Sequence, residues 1–367
     1  MKKVLSAIVA AGLVASLAAC SSGSSSSTTA AATTGAQASG SAQSEAAPSE
    51  AAEDMGETVT LHMGGGLTQQ SPQYESWQEF AEEVKKESNG TINISLDLSG
   101  ALGSDREIIE GVMNGSIEMM HMSDGSCATV IPETGFVALP FLFPTRADAE
   151  KHYFNGELGT IYREIMERNN IKILGNLIEG DPRWISNSIR EITKPEDLSG
   201  LKIRVMDNPM WISYFTKLGT NPVAMSVSEV ASALQQKVID GQDNGPLNTY
   251  FYGFYDFQKY MTKTNHGYAA NYICINTDVF NKLSPKQQEI LSTCADKYSA
   301  QAYEIQSSKV DSLIEEMEQA GMHTIDCTPE LTEFLRNAAT EIWNDDSITE
   351  KYNADAMTYI KENLGTN

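Results

Sequence analysis

Two arginines sit where a chain could use them to hold an anion. Arg204 lies in LKIRV, a short apolar run interrupted only by Lys202 and by Arg204 itself. A guanidinium offers a planar fork that matches a carboxylate through paired hydrogen bonds, a geometry an ammonium cannot copy. A charge inside such a run needs a partner, either a bound carboxylate or a neighbouring acid such as Asp207. Arg183, in DPRWISNS, could supply a second fork, and the two together would clamp both ends of a dicarboxylate. Other groups could exchange hydrogen bonds with hydroxyl or amino functions. Ser123 and Asp124 close the run MMHMSD, Asp105 belongs near the same rim, Asn244 ends DGQDN, and Gln69 follows Gly64-Gly65-Gly66. That glycine run is not a phosphate loop, because no G-K-[S/T] ending follows it.

Catalytic and metal-binding patterns are not expected. His62, His121, His152, His266 and His323 are scattered, with neither HExxH nor GxSxG around them. Core or surface roles suit each of them, and no motif supports a carboxylate pair for glycoside hydrolysis. Beyond Cys20 the cysteines are Cys127, Cys274, Cys294 and Cys327, at no zinc-like spacing; Cys274 and Cys294 read as buried free thiols. No catalytic residue, metal or cofactor is predicted.

The elements that must position these groups follow from periodicity. Residues 201–205 read as a strand, and Pro209 opens a helix carrying Trp211, Ile212, Phe215 and Leu218 on one face until Gly219. Residues 223–225 form a second strand, Ser226 and Glu229 a capping box, and residues 238–240 a third strand. This β-α-β-α-β unit brings Arg204, Met225 and Asn244 to its strand ends, where open α/β sheets bind ligands. Upstream, strands are expected at 58–63, 91–98 and 117–122, the last followed by the polar loop SDGS. Helices are expected after Ser71 and Ser104, residues 153–166 are read as helical, and Ile171–Ile178 as a strand. Apolar VALPFLFPT reads as buried packing. Ser284 caps a helix running to about residue 320, roughly 50 Å at 1.5 Å per residue, and so longer than one small domain.

The chain has 367 residues, a formal charge of −23 and 41% hydrophobic residues, enough for two domains with real cores. Such acidity argues against nucleic acid and anionic membrane surfaces as partners. The N-terminus has Lys2 and Lys3, then an apolar run ending in Leu17-Ala18-Ala19-Cys20. It reads as a secretory signal over residues 1–19, with a lipobox and lipidation at Cys20. Residues 20–56, rich in Ser, Ala and Thr, read as a flexible tether. The expected location is extracytoplasmic, with only a lipid anchor in the membrane.

DLSGLKIRV followed by LGTNPVAMSVSEVASALQQKVIDGQ resembles the DctP-type substrate-binding proteins of TRAP transporters, the tripartite ATP-independent periplasmic transporters. ALGSDREIIEGVMNGSIEMMHMSDG is a second similar stretch, and the likeness runs from about Val59 to the C-terminus. Two departures stand out: Val227 replaces the usual aromatic before Ser-Glu, and Gly245 is inserted before Pro246. Both are expected to bear on the pocket. The resemblance implies a two-domain α/β fold of the periplasmic-binding-protein kind, with a hinge, a cleft between domains and a long helix spanning both. Domain I would comprise residues 57–180 and 269–308, and domain II residues 181–268 and 309–367. It further implies that Arg204 bridges a substrate carboxylate, that Arg183 faces the ligand and that Asn244 hydrogen-bonds it. The ligand would be a small organic acid, either hydroxylated like a sugar acid or a C4-dicarboxylate, handed to a small and a large permease subunit. A sensory adaptor presenting the ligand to a receptor, or an extracytoplasmic enzyme, is the alternative.

Overall fold

A computed structural model describes residues 55–178 and 181–365; the expected signal, Cys20 and almost all of the expected tether lie outside the described residues. Eleven strands are described: β1 Val59–Gly65, β2 Ile92–Asp97, β3 Met119–Ser123, β4 Ile171–Ile178, β5 Trp184–Asn187, β6 Lys202–Val205, β7 Asn221–Ala224, β8 Gly241–Asn244, β9 Tyr260–Lys263, β10 Ala270–Asn276 and β11 His323–Asp326. They form two sheets, in the orders β2-β1-β3-β10-β4 and β11-β9-β5-β8-β6-β7. In the first, β1 runs parallel to β2 and β3, while β10 is antiparallel to both β3 and β4. In the second, β6 is parallel to β7 and β8, and β5 runs antiparallel to β8 and β9. The chain leaves the first sheet after β4 and returns in β10. The two crossings lie side by side, with Arg183 N–H donating to Gly267 O at 2.8 Å.

Local sequence explains the helices. Ser104 and Glu107 close a capping box on Asp105–Asn114, and the Glu107 carboxylate accepts from Ser104 N–H at 2.8 Å. Glu229 accepts from Ser226 N–H at 3.0 Å at the head of Val227–Gln235. Ser284 and Gln287 do the same for the helix Pro285–Gln319, whose 35 residues span roughly 52 Å. That helix packs on Pro72–Glu87 and β4 at one end and on Pro246–Phe251 and β11 at the other, so it ties both layers together. Trp77, Phe80 and Val84 meet Leu291, Cys294 and Tyr298 in its first core.

Several expectations are corrected. The third strand of the β-α-β-α-β unit is β8, later than residues 238–240: Lys237 turns at φ +59° and leaves Val238 exposed. The expected loop SDGS begins as a helical turn, Asp124–Cys127. The helix expected over 153–166 is two pieces, a π-turn Glu150–Phe154 and the helix Glu157–Arg168. The C-terminal helix Ala354–Asn363 packs on Glu157–Arg168, and Tyr359 OH lies 2.8 Å from His152 Nδ1. The end of 309–367, expected with the second domain, therefore touches the first layer. Cys127, Cys274, Cys294 and Cys327 are free thiols, and only Cys327 is partly exposed.

Candidate functional site

The strand ends of the two sheets face one cavity of about 60 Å³. That is room for on the order of five water molecules, a size suited to one small molecule and not to a polymer. On the second-sheet side, β6 delivers Arg204, which is 2% exposed. Its Nε and Nη2 donate to Met225 O at 3.0 and 2.7 Å, which fixes the guanidinium against the end of the neighbouring β7. Among the described residues Arg204 makes no ion pair, and the alternative pairing with Asp207 is not formed. Burial pushes the guanidinium down to about 10, helped by the positive charge of Arg183 and opposed by Asp105 and Asp243. It remains protonated at neutral pH. Arg204 is a buried cation at a cavity wall, the arrangement that needs an anion.

Arg183 lines the same cavity under different conditions. Its Nε and Nη2 donate to the two carboxylate oxygens of Asp243, each at 3.0 Å, and its Nη2 also reaches Asn244 Oδ1 at 3.3 Å. Burial alone would raise the Asp243 carboxyl, but Arg183 and His266 beside it more than offset this and hold it well below the usual carboxylate range. His266 Nε2 lies 2.8 Å from Asp243 Oδ1, and its Nδ1 is 2.7 Å from Thr264 Oγ1. The Trp211 ring sits 5.6 Å from the guanidinium carbon. Asn244 donates from Nδ2 to Gln242 Oε1 at 2.6 Å, and Gln242 in turn donates to Ser186 and Thr249 hydroxyls. All four residues of β8 are buried and three are polar, so the strand is held by side-chain hydrogen bonds.

The first-sheet side contributes Asp105 and Ser123. Ser126 Oγ donates to Asp105 Oδ2 at 3.0 Å. Burial raises the Asp105 carboxyl, while Ser126 and the charge of Arg204 pull it back. Two expected residues lie elsewhere. Asp124 is buried, but its carboxylate accepts from Gly125 N–H at 2.6 Å and Ala270 N–H at 3.1 Å, tying β3 to β10. Gln69 is exposed and not part of the wall. Gln73, one turn later, takes that place with His121 and Asn271. Gln73 and His121 are 5% and 6% exposed, and Gln73 Oε1 and His121 Nε2 have no hydrogen-bond partner. Burial pulls the His121 imidazole down to about 4, so it is neutral at pH 7. A titratable residue between the methionines of MMHMS is the same kind of signal that marked Arg204.

The two departures have separate effects. Val227 lines the cavity, and its Cγ1 lies only 2.8 Å from where a Cβ on Gly66 would stand. Gly245 does not line it; a Cβ there would meet Asp181 Oδ2 at 2.3 Å, where that oxygen accepts from Leu247 N–H. The inserted glycine thus admits Asp181 to the helix start.

Residues 63–350 match the family model for bacterial extracellular solute-binding protein, family 7, DctP. The chain belongs to the DctP family. It is a solute-binding protein of the TRAP type, from a family of binding proteins whose members are extracytoplasmic. Among its DctP relatives is the 2,3-diketo-L-gulonate-binding periplasmic protein YiaO of Escherichia coli, 29% identical over 72% of this chain and 80% of the relative. The C4-dicarboxylate-binding protein DctB of Bacillus subtilis is 28% identical over 65% of this chain and 68% of its own length. The sugar acid binding protein DctPAm of Advenella mimigardefordensis, solved in complex with galactonate, superposes with a TM-score of 0.77. It is 27% identical and covers 83% of this chain and 97% of that one. The α/β architecture with two domains is the fold of these structures. Among the described residues no helix is long and apolar enough to cross a membrane.

Proposed function

We propose that this DctP protein captures a small organic acid outside the cell and delivers it to the small and large membrane subunits of a TRAP transporter. The observation that carries this reading is Arg204, a buried guanidinium at the cavity wall with no ion pair among the described residues. A ligand carboxylate there would complete the fork and give the buried guanidinium a direct ion-pair partner. Arg183 and Asn244 support it from the same sheet, with Ser123 and Asp105 opposite. The names of the relatives add weight, since they bind sugar acids or C4-dicarboxylates. The mechanism is hinge closure between domain I, residues 57–180 and 269–308, and domain II, residues 181–268 with most of 309–367. Lipidation at Cys20, with residues 20–56 as tether, would hold the protein at the outer face of the membrane.

The test is a thermal-shift and calorimetric panel on the purified protein with sugar acids, C4-dicarboxylates and neutral sugars. An acid at a hundred times its Kd should add about 2.7 kcal/mol to stability, a readable rise in melting temperature. Neutral sugars should give none. Silence across all the acids, or equal binding of a neutral sugar, sinks the reading.

A further inference from the structure

We infer that the site takes an acid with one carboxylate and a neutral, hydroxyl-bearing remainder, and that Asp105 is the side chain that turns away a second carboxylate. The inference rests on the reading of the cavity as a carboxylate site and narrows it. A clamp on both ends of a dicarboxylate needs two arginines free to pair with ligand, and the cavity has one. The charge of Arg183 is already matched by Asp243 through two hydrogen bonds of 3.0 Å inside the protein. Of the two, only Arg204 has no ion pair among the described residues.

The anionic side points the same way. Asp105 lines the cavity across from Arg204, and the two also border the adjoining space together with Glu229. Arg204, Arg183, Asp243 and Asp105 therefore carry no net charge before a ligand enters. One carboxylate already makes this group anionic, with the Asp105 carboxylate standing in the same cavity wall. A second carboxylate would stand in a buried space with no cation left to meet it, a costly arrangement.

The remaining wall has no charge to offer. His121 is neutral, and Gln73, Ser123 and Asn271 are uncharged hydrogen-bonding groups. Gln73 and His121 each hold a buried polar atom without a partner. Hydroxyls, which both donate and accept, suit the hydrogen-bonding groups of this wall, whereas an apolar tail would displace their water without replacing its hydrogen bonds.

Calorimetry near pH 7 decides the matter with D-galactonate and D-gluconate, L-malate and succinate, and the apolar monocarboxylate isobutyrate. A hydroxylated monocarboxylate should bind at least about a hundredfold more tightly than either dicarboxylate and than isobutyrate. Malate or succinate binding as well as the best monocarboxylate overturns this inference and leaves carboxylate capture standing. Isobutyrate doing so overturns the hydroxyl part. Binding of no acid at all overturns the carboxylate reading itself, a different outcome. Asp105→Asn, confirmed as folded by its melting curve, should narrow the preference for monocarboxylate by roughly tenfold. An unchanged ratio removes Asp105 from the role.

Discussion

The two walls of the cavity are built alike and do different things. Each places polar side chains at the ends of short strands: Arg204 and Asn244 from β6 and β8 on one side, His121 and Ser123 from β3 on the other. The second-sheet wall is charged and internally organised, with Arg183, Asp243 and His266 bonded into one buried cluster beside Arg204. The first-sheet wall is almost neutral, and two of its residues hold buried polar atoms with no partner. The difference separates two tasks. One wall fixes a charge in space, and the other can read the uncharged part of a ligand. Within the charged wall the contrast repeats, since Arg183 has a protein partner for its charge and Arg204 has none. A carboxylate added by a ligand is therefore worth most at Arg204.

That contrast can be broken at its strongest point first. Arg204→Ala should weaken binding of the acid by about 3–5 kcal/mol, because a buried ligand charge loses its partner. Calorimetry would read this as roughly a hundredfold to more than a thousandfold rise in Kd. Arg204→Lys should recover little, because a point charge cannot rebuild the fork. Wild-type affinity in Arg204→Ala would place the anion elsewhere. Asp243→Asn attacks the other arginine. It leaves Arg183 buried without its carboxylate and should cost about 3–5 kcal/mol of folding stability in urea unfolding. In whatever protein remains folded, the freed Arg183 should shift preference toward dicarboxylates. A stable variant with unchanged preference would mean that Asp243 is not what keeps the charge of Arg183 from a ligand.

The neutral wall has a pH signature. Folded His121 takes its proton only below about 4, while the unfolded chain takes it below about 6.5. Between these values the unfolded state holds more protons, so stability present above pH 6.5 is lost as pH falls. The loss grows by about 1.4 kcal/mol per unit and reaches roughly 3 kcal/mol near pH 4. Urea melts of His121→Gln should lack that component of the slope. An unaltered slope would mean that His121 is not held neutral by burial.

Much of this was legible in the chain. Capping boxes at Ser104, Ser226 and Ser284 and the long helix behind the last of them are local events, set by residues three or four apart. Arg204 could be found because a charge in a short apolar run demands a partner. His121 carries the same signal less clearly, because a histidine in a core is common. Strand β8 lies later than the hydrophobic pattern indicates, because that pattern marks apolar strands, and Gln242, Asp243 and Asn244 are buried by hydrogen bonding instead. Asp124 carried the right chemistry at the right strand end, but its carboxylate turns to the backbone of Gly125 and Ala270.

The sequence by itself determined which residue types stand at the strand ends, where the helices begin, that the chain is acidic, and the family to which it belongs. Those are matters of neighbours in the chain. Which of those polar groups remain open to a ligand was decided only in three dimensions. Arg183 and Asp243 are 60 residues apart, and Asp105 meets the field of Arg204 only across the cavity. Whether a buried charge has a protein partner or awaits one depends on such long-range pairings, which no local spacing encodes.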